Sequence, residues 1–257
     1  MRNTSSLLIP ALLVLLTPMP DAQRAAAEVT HAAEFDLPER EELHQSYELA
    51  PGAGVELSNI PGSVKIETTD SDTAEVNIVR SAETPADLAC GKIVIEPTPA
   101  RLRISSEPLC PIVRSRERVM LKLPRGADIT LHNIAGDVRI GPTDGIVRLN
   151  SIAGHVDLAQ LSSGKLSSLA GGLSLSIARV GAQGIHVSSV TGGIELNLDQ
   201  DIDAELVMRS VNHVHSEDLN VLESSDDHSN YRAVIGAGGN KILIDSVVGS
   251  VNVRRKR

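Results

Sequence analysis

Aromatic side chains are almost missing from this sequence: there is no Trp, and Phe35, Tyr47 and Tyr231 are the only rings in 257 residues. A core without rings must be filled by Leu, Ile, Val and Ala, which suits a narrow space between strands better than a broad globular interior. The same scarcity removes the stacking platforms used to hold single-stranded nucleic acid. Cysteine is nearly absent too. Cys90 and Cys110 are the only two, and with no CxxC motif or neighbouring His they point to neither zinc nor dithiol redox chemistry. No GxSxG elbow leads into a helix, and Gly236-Ala237-Gly238-Gly239 lacks the Lys-Ser/Thr of a phosphate loop.

Long hydrophobic runs are also lacking. The apolar run 7–16 falls short of the ~20 residues that a membrane helix needs. It follows Arg2 and precedes Ala25, Ala26 and Ala27, the order of a secretory signal peptide, so residues 1–27 are expected to be one, an uncleaved anchor being the alternative. No Cys follows the run, which argues against a lipoprotein anchor. The expected location is therefore periplasmic or secreted to the cell surface, with no integral membrane span after cleavage. The net charge of −9 repels nucleic acid and anionic lipid in general. Arg254, Arg255, Lys256 and Arg257 form a local basic exception, either a solvated tail or a contact for an acidic envelope component.

What is present in abundance is repetition. One phrase recurs seven times, starting at Leu57, Leu131, Leu149, Leu166, Val187, Met208 and Ile244, as in LHNIAGDVRI and LNSIAGHVDL; the copy at Met208 is degraded. Within each copy the aliphatics alternate with polar residues, the period of a strand and not of a helix. A glycine slot (Gly62, Gly136, Gly154, Gly171, Gly192, Gly249) reads as a corner where φ can be positive. From Gly136 the steps are 18, 17 and 21 residues, and the next of 21 lands on His213. Fixed-period similarity of this kind predicts an all-β parallel β-solenoid or β-roll of about 17–21 residues per coil. A β-sandwich of the same strands is the alternative. Stacking would align an aliphatic column (Ile60, Ile134, Ile152, Leu169, Val190, Val211, Val247). Beside it would run a polar one (Asn59, Asn133, Ser151, Ser168, Ser189, Ser210, Ser246), hydrogen-bonded along the axis.

Three regions follow: the signal peptide 1–27, a linker 28–49 and a repeat domain 50–257. Cys90 and Cys110 bracket strand-like runs 92–96 and 101–105, and pairing Ile95 with Leu102 brings them together. In an exported chain this reads as a structural disulfide closing an N-terminal hairpin. The phrases Asn59-Ile60-Pro61-Gly62-Ser63-Val64 and Asn133-Ile134-Ala135-Gly136-Asp137-Val138 resemble those of the bacterial putative-adhesin family of exported repeat domains, over roughly 50–253. The resemblance implies a β-solenoid and an envelope or surface location. It implies no established activity.

The leading expectation for function is a non-enzymatic structural or adhesive surface in the cell envelope, with an envelope protein or polysaccharide as partner and no cofactor. Oligomeric state is not legible. A polysaccharide-active enzyme is the first rival, but Asp137, Asp157 and Glu195 are not expected to share one outward column, as paired carboxylates would require. An envelope metal-binding protein is the second. His213 and His215 fall on one face of a strand, with His228 in the polar run that follows, and imidazoles with a carboxylate could hold a divalent ion. Arg139, Arg148, Asp157, Lys165 and Glu195 are expected on broad polar strand faces suited to an extended partner.

Overall fold

The computed structural model describes residues 37–216, 220–224 and 230–256, with side chains described for 37–216 and 230–256. Residues from Leu37 onward form one compact unit. The first stretch carries β1 (Glu39–Glu48), β2 (Gly54–Ile60), β3 (Gly62–Thr69), β4 (Thr73–Ala82), the short helix α1 (Pro85–Ala89), β5 (Gly91–Thr98), β6 (Arg101–Pro108) and β7 (Arg116–Pro124). The middle carries β8 (Asp128–Ile134), β9 (Val138–Ile140), β10 (Ile146–Ala153), β11 (Val156–Leu158), β12 (Ser163–Ala170), β13 (Leu173–Ile177), β14 (Ile185–Thr191) and β15 (Ile194–Leu198). The end carries β16 (Ala204–Ser216), β17 (Asn220–Ser224), β18 (Asn230–Ile235) and β19 (Lys241–Arg255).

The strands pair in two ladders. The first runs β5-β6-β2-β8-β10-β12-β14-β19-β16-β18-β17. The second runs β1-β4-β7-β3-β9-β11-β13-β15-β19-β16. The long strands β19 and β16 belong to both and join them, among the described residues, into one sheet of 19 strands around a single aliphatic core. This corrects the expected parallel β-solenoid: the sheet is mixed and forms a nearly closed barrel. Parallel pairing holds where the phrase repeats, but β1–β4, β4–β7, β5–β6, β16–β18 and β17–β18 are antiparallel. The physical reason is that period-two alternation fixes which side chains face inward but not the direction of the neighbouring strand.

Order along the first ladder departs from order in the sequence. Leu131, Leu149, Leu166 and Val187 stack in register, but the next rung is Ile244, with Met208 beyond it. The seventh copy thus lies between the fifth and the sixth. The aliphatic column is otherwise as expected, each member buried.

The repeat phrase solves a geometric problem. Leu149 and Ile152 both point inward although they are three residues apart, which plain alternation forbids. Ser151 between them has φ 57, and the other six members of the polar column lie between φ 50 and φ 58. One left-handed residue per copy shifts the phase of the strand and turns its end toward the second ladder. Asn tolerates that region better than most residues, and a small Ser crowds it least. The expected axial hydrogen bonds are found between Asn133 Nδ2 and Asn59 Oδ1, at 2.7 Å. Ser151 and Ser246 instead donate to their chain neighbours Asn150 and Asp245.

The glycine slot is the expected positive-φ corner at three of its six members: Gly171, Gly192 and Gly249 have φ 148, 142 and 156, whereas Gly62, Gly136 and Gly154 do not have positive φ. A Cβ on Gly154 would lie 2.4 Å from the carbonyl oxygen of Gly136, and one on Gly136 equally near that of Gly62. Close backbone approach between successive copies is what excludes a side chain there.

Residues 39–48, inside the expected linker 28–49, form β1 along β4. Cys90 and Cys110 are bonded, with Cα atoms 5.0 Å apart. In the hairpin β5–β6 Ile95 faces Ile104, and Pro97 faces Leu102, so the expected register was two residues off. Among the described residues no helix is long and apolar enough to cross a membrane.

Candidate functional site

Each parallel rung turns alternate side chains outward, so the first ladder displays a face whose columns are set by register. Across β2, β8, β10, β12 and β14 one column reads Glu56, Thr130, Arg148, Lys165 and His186. Two residues further along the same strands run Ser58, His132, Asn150, Ser167 and Ser188. Arg148 and Lys165 are exposed; Ser167 and Ser188 are half-buried. Glu56 is held by Arg101 at 3.5 Å and Arg103 at 3.4 Å, and Arg148 by Asp128 at 3.2 Å.

The second ladder turns out a different column: Lys65, Arg139, Asp157, Ser174, Glu195 and Asn252. Arg139 Nε lies 3.4 Å from Asp157 Oδ2, and Lys65 pairs with Glu67 at 2.7 Å. That lysine holds the Glu67 carboxyl below its ordinary range through a hydrogen bond and its charge. The five residues expected on broad polar strand faces divide between the ladders, Arg148 and Lys165 on one, Arg139, Asp157 and Glu195 on the other. Asp157 and Glu195 do share a column, contrary to expectation, separated by the rung of Ser174 and so by about two strand spacings, roughly 9–10 Å. Asp137 stands apart and accepts a hydrogen bond from the His155 backbone N–H at 2.8 Å.

His213 and His215 sit exposed on β16 beside Ser250 and Asn252 of β19. Among the described residues no three His, Cys, Asp or Glu side chains are grouped as a metal would require, and His228 lies outside the described residues. The basic end is partly tied down, for Lys256 Nζ reaches Asp199 at 3.0 Å and Arg255 Nε donates to the Gln200 carbonyl at 3.0 Å. Arg257 lies outside the described residues.

Sequence reasoning missed a buried polar cluster beside the disulfide. Arg80 donates to Glu41 (2.7 Å) and to the carbonyls of Leu88 (2.7 Å) and Gly91 (2.8 Å), which flank Cys90. Beneath it the buried Glu117 accepts a hydrogen bond from Ser106 Oγ at 2.9 Å. Burial pushes the Glu117 carboxyl above its ordinary range, with Ser106 and Arg80 opposing the shift. A cleft of about 560 Å³ between β1, α1 and β5 is lined by Arg80, Leu43, Leu88, Ile93 and Leu109. Both terminal nitrogens of Arg80 are engaged by protein groups, while its buried Nε and Glu117 Oε2 have no hydrogen-bond partner among the described residues. Arg80 and Glu117 carried no sequence signal, since each falls in an ordinary alternating strand.

No protein-family model matches the sequence, and no curated protein matches it either. Solved structures do match. A putative cell adhesion protein from Clostridium sporogenes superimposes with a TM-score of 0.50 at 15% identity, over 85% of this chain and 100% of that one. The likeness is one of fold. A putative adhesin from Bacteroides fragilis gives a TM-score of 0.36 at 13% identity, over 85% of this chain and 99% of that one. A putative lipid binding protein from Parabacteroides distasonis gives 0.31 at 11% identity, over 83% and 97%.

Proposed function

We propose that this chain is an exported, non-enzymatic binding protein of the cell envelope, akin to the putative adhesins, that presents the outward face of the first ladder to an extended partner. The observation that carries the reading is the register-locked array from Glu56 to Ser188, which offers hydrogen-bonding groups on five successive strands. A repetitive surface of that kind fits a partner that runs across the strands better than a small molecule. The disulfide supports an oxidising, extracytoplasmic compartment. The Clostridium sporogenes neighbour, itself named a putative cell adhesion protein, is compatible with the same role.

The test is co-sedimentation of the chain with purified envelope material. A bulky Ser188→Trp change on the first ladder should abolish retention, whereas Ser174→Trp on the second should not. Equal retention of both variants sinks the assignment of the face. One observation favours a second reading, polysaccharide cleavage, because Asp157 and Glu195 share a column. Release of new reducing ends from an envelope glycan, lost in Asp157→Ala, would establish it.

A further inference from the structure

The first ladder has an open edge at β5, which among the described residues pairs with β6 alone. That edge is poorly guarded. Where the edge strand of the second ladder, β1, carries Glu39, Arg40, Glu41 and Glu42 in succession, β5 offers Ile93, Val94 and Ile95, all half-buried. Unpaired N–H and C=O groups along such a strand are a template for another strand. The Gly91 carbonyl turns away from β6, since it accepts from Arg80 Nη2 at 2.8 Å. Alternation then turns the N–H and C=O groups of Ile93 and Ile95 off the open edge as well, together with the carbonyl of Pro97.

We propose that β5 pairs antiparallel with β5 of a second copy of this chain, about a two-fold axis at Val94. That register sets Ile93 opposite Ile95 and Lys92 opposite Glu96, each twice, and the contact is closed and self-complementary. Charge selects it. Within one chain Lys92 faces Glu107 and Glu96 faces Arg103, which in turn faces Glu56. Across the axis the row becomes Glu107 and Lys92, then Glu96, Arg103 and Glu56 of the second copy, opposite in sign at every step. Opposite charges on facing strands stabilise a pair, and Lys92 has no ion pair among the described residues. Hydrogen bonding selects the same register. Gly91, whose carbonyl Arg80 already occupies, meets Pro97, which has no N–H to give. A slip of two residues would instead set Pro97 against the free carbonyl of Ile93. The pairing also brings Pro97 of the second copy to the cleft lined by Gly91, Leu88 and Leu109, where Leu109 is otherwise exposed. Two first ladders are thereby joined edge to edge, whatever their outward faces bind.

The experiment is sedimentation equilibrium of the full chain, which should be a dimer. Lys92→Glu and Glu96→Lys should each weaken self-association about tenfold or more, because each turns both pairs related by the axis into like charges. An equimolar mixture of the two variants should regain the wild-type affinity, for every mixed pair again joins opposite charges. Under mild oxidation Val94→Cys should crosslink to its own copy, since Val94 lies on the axis, whereas Ser105→Cys on β6 should not. If either charge variant fails to fold, the contrast between those two cysteine variants decides. A monomeric wild type, a dimer indifferent to both charge variants, a mixture that stays monomeric, or equal crosslinking at 94 and 105 each overturns the pairing.

Discussion

Arg80 Nε stands 3.6 Å from Glu117 Oε1, and the two side chains lie together beneath the disulfide-bonded hairpin, with Glu117 fully buried. Glu117 is held above its ordinary range chiefly by burial. A carboxyl with a raised folded value binds more protons folded than unfolded, so its contribution is full below the unfolded value and is lost as pH rises through the folded one. The stability of wild type relative to Glu117→Gln should therefore decline as pH rises from about 4 toward neutrality. Denaturant titrations of both proteins across that range check the sign; a difference that grows with pH would contradict it.

Gly154→Ala should cost on the order of 3 kcal/mol, because the new methyl meets the Gly136 backbone at 2.4 Å and neither strand can retreat without disturbing its other neighbour. Gly126→Ala meets nothing within 4 Å and should be near neutral. Urea midpoints of the two variants measure the contrast.

The left-handed corners make a separate prediction. At Ser151, with φ 57, a β-branched side chain is strained, so Ser151→Val should destabilise by roughly 1–2 kcal/mol, whereas Ser151→Asn should be neutral or stabilising. Equal melting temperatures would show that the corner relaxes freely.

Ile152→Asp should unfold the domain while His155→Ala should not, for Ile152 is buried in the aliphatic column and His155 is exposed. An unpaired buried carboxylate costs several kcal/mol, comparable with the stability of a whole domain. Circular dichroism of the two variants decides it.

Reduction of Cys90–Cys110, which spans 20 positions of sequence, should lower stability by about 3 kcal/mol. Glu41, Leu88 and Gly91 would keep Arg80 in place only as long as the hairpin stays folded. Unfolding with and without reductant measures the difference, and free-thiol labelling of denatured material should find no reactive cysteine before reduction.

Much of the architecture was legible because inward residues such as Ile134, Ile152 and Leu169 recur at one slot of an unmistakable phrase. The antiparallel strands were harder. Glu39–Glu48 shows little of an apolar face, with only Leu43 and Tyr47 packing on the core, because it is an edge strand guarded by charge. The glycines were visible but which reason holds at each was not, since close approach and positive φ leave the same residue in a sequence. The division of Arg148 and Lys165 from Arg139 and Asp157 was hidden for a related cause. A strand before the corner and a strand after it look alike on paper, yet the left-handed residue between them sends them to different ladders.

The position of Ile244 between Val187 and Met208 has a consequence for how the chain is made. A ribosome releases β16, β17 and β18 well before β19, so for that interval the sixth copy has no parallel neighbour on which to stack. β19 then has to enter the middle of the sheet beside strands made before it, and there it completes both ladders at once. The two ladders are joined by a strand that arrives after its neighbours, as a bolt slid home late. A chain that ends prematurely before Lys241 would lose the keystone that joins two finished halves.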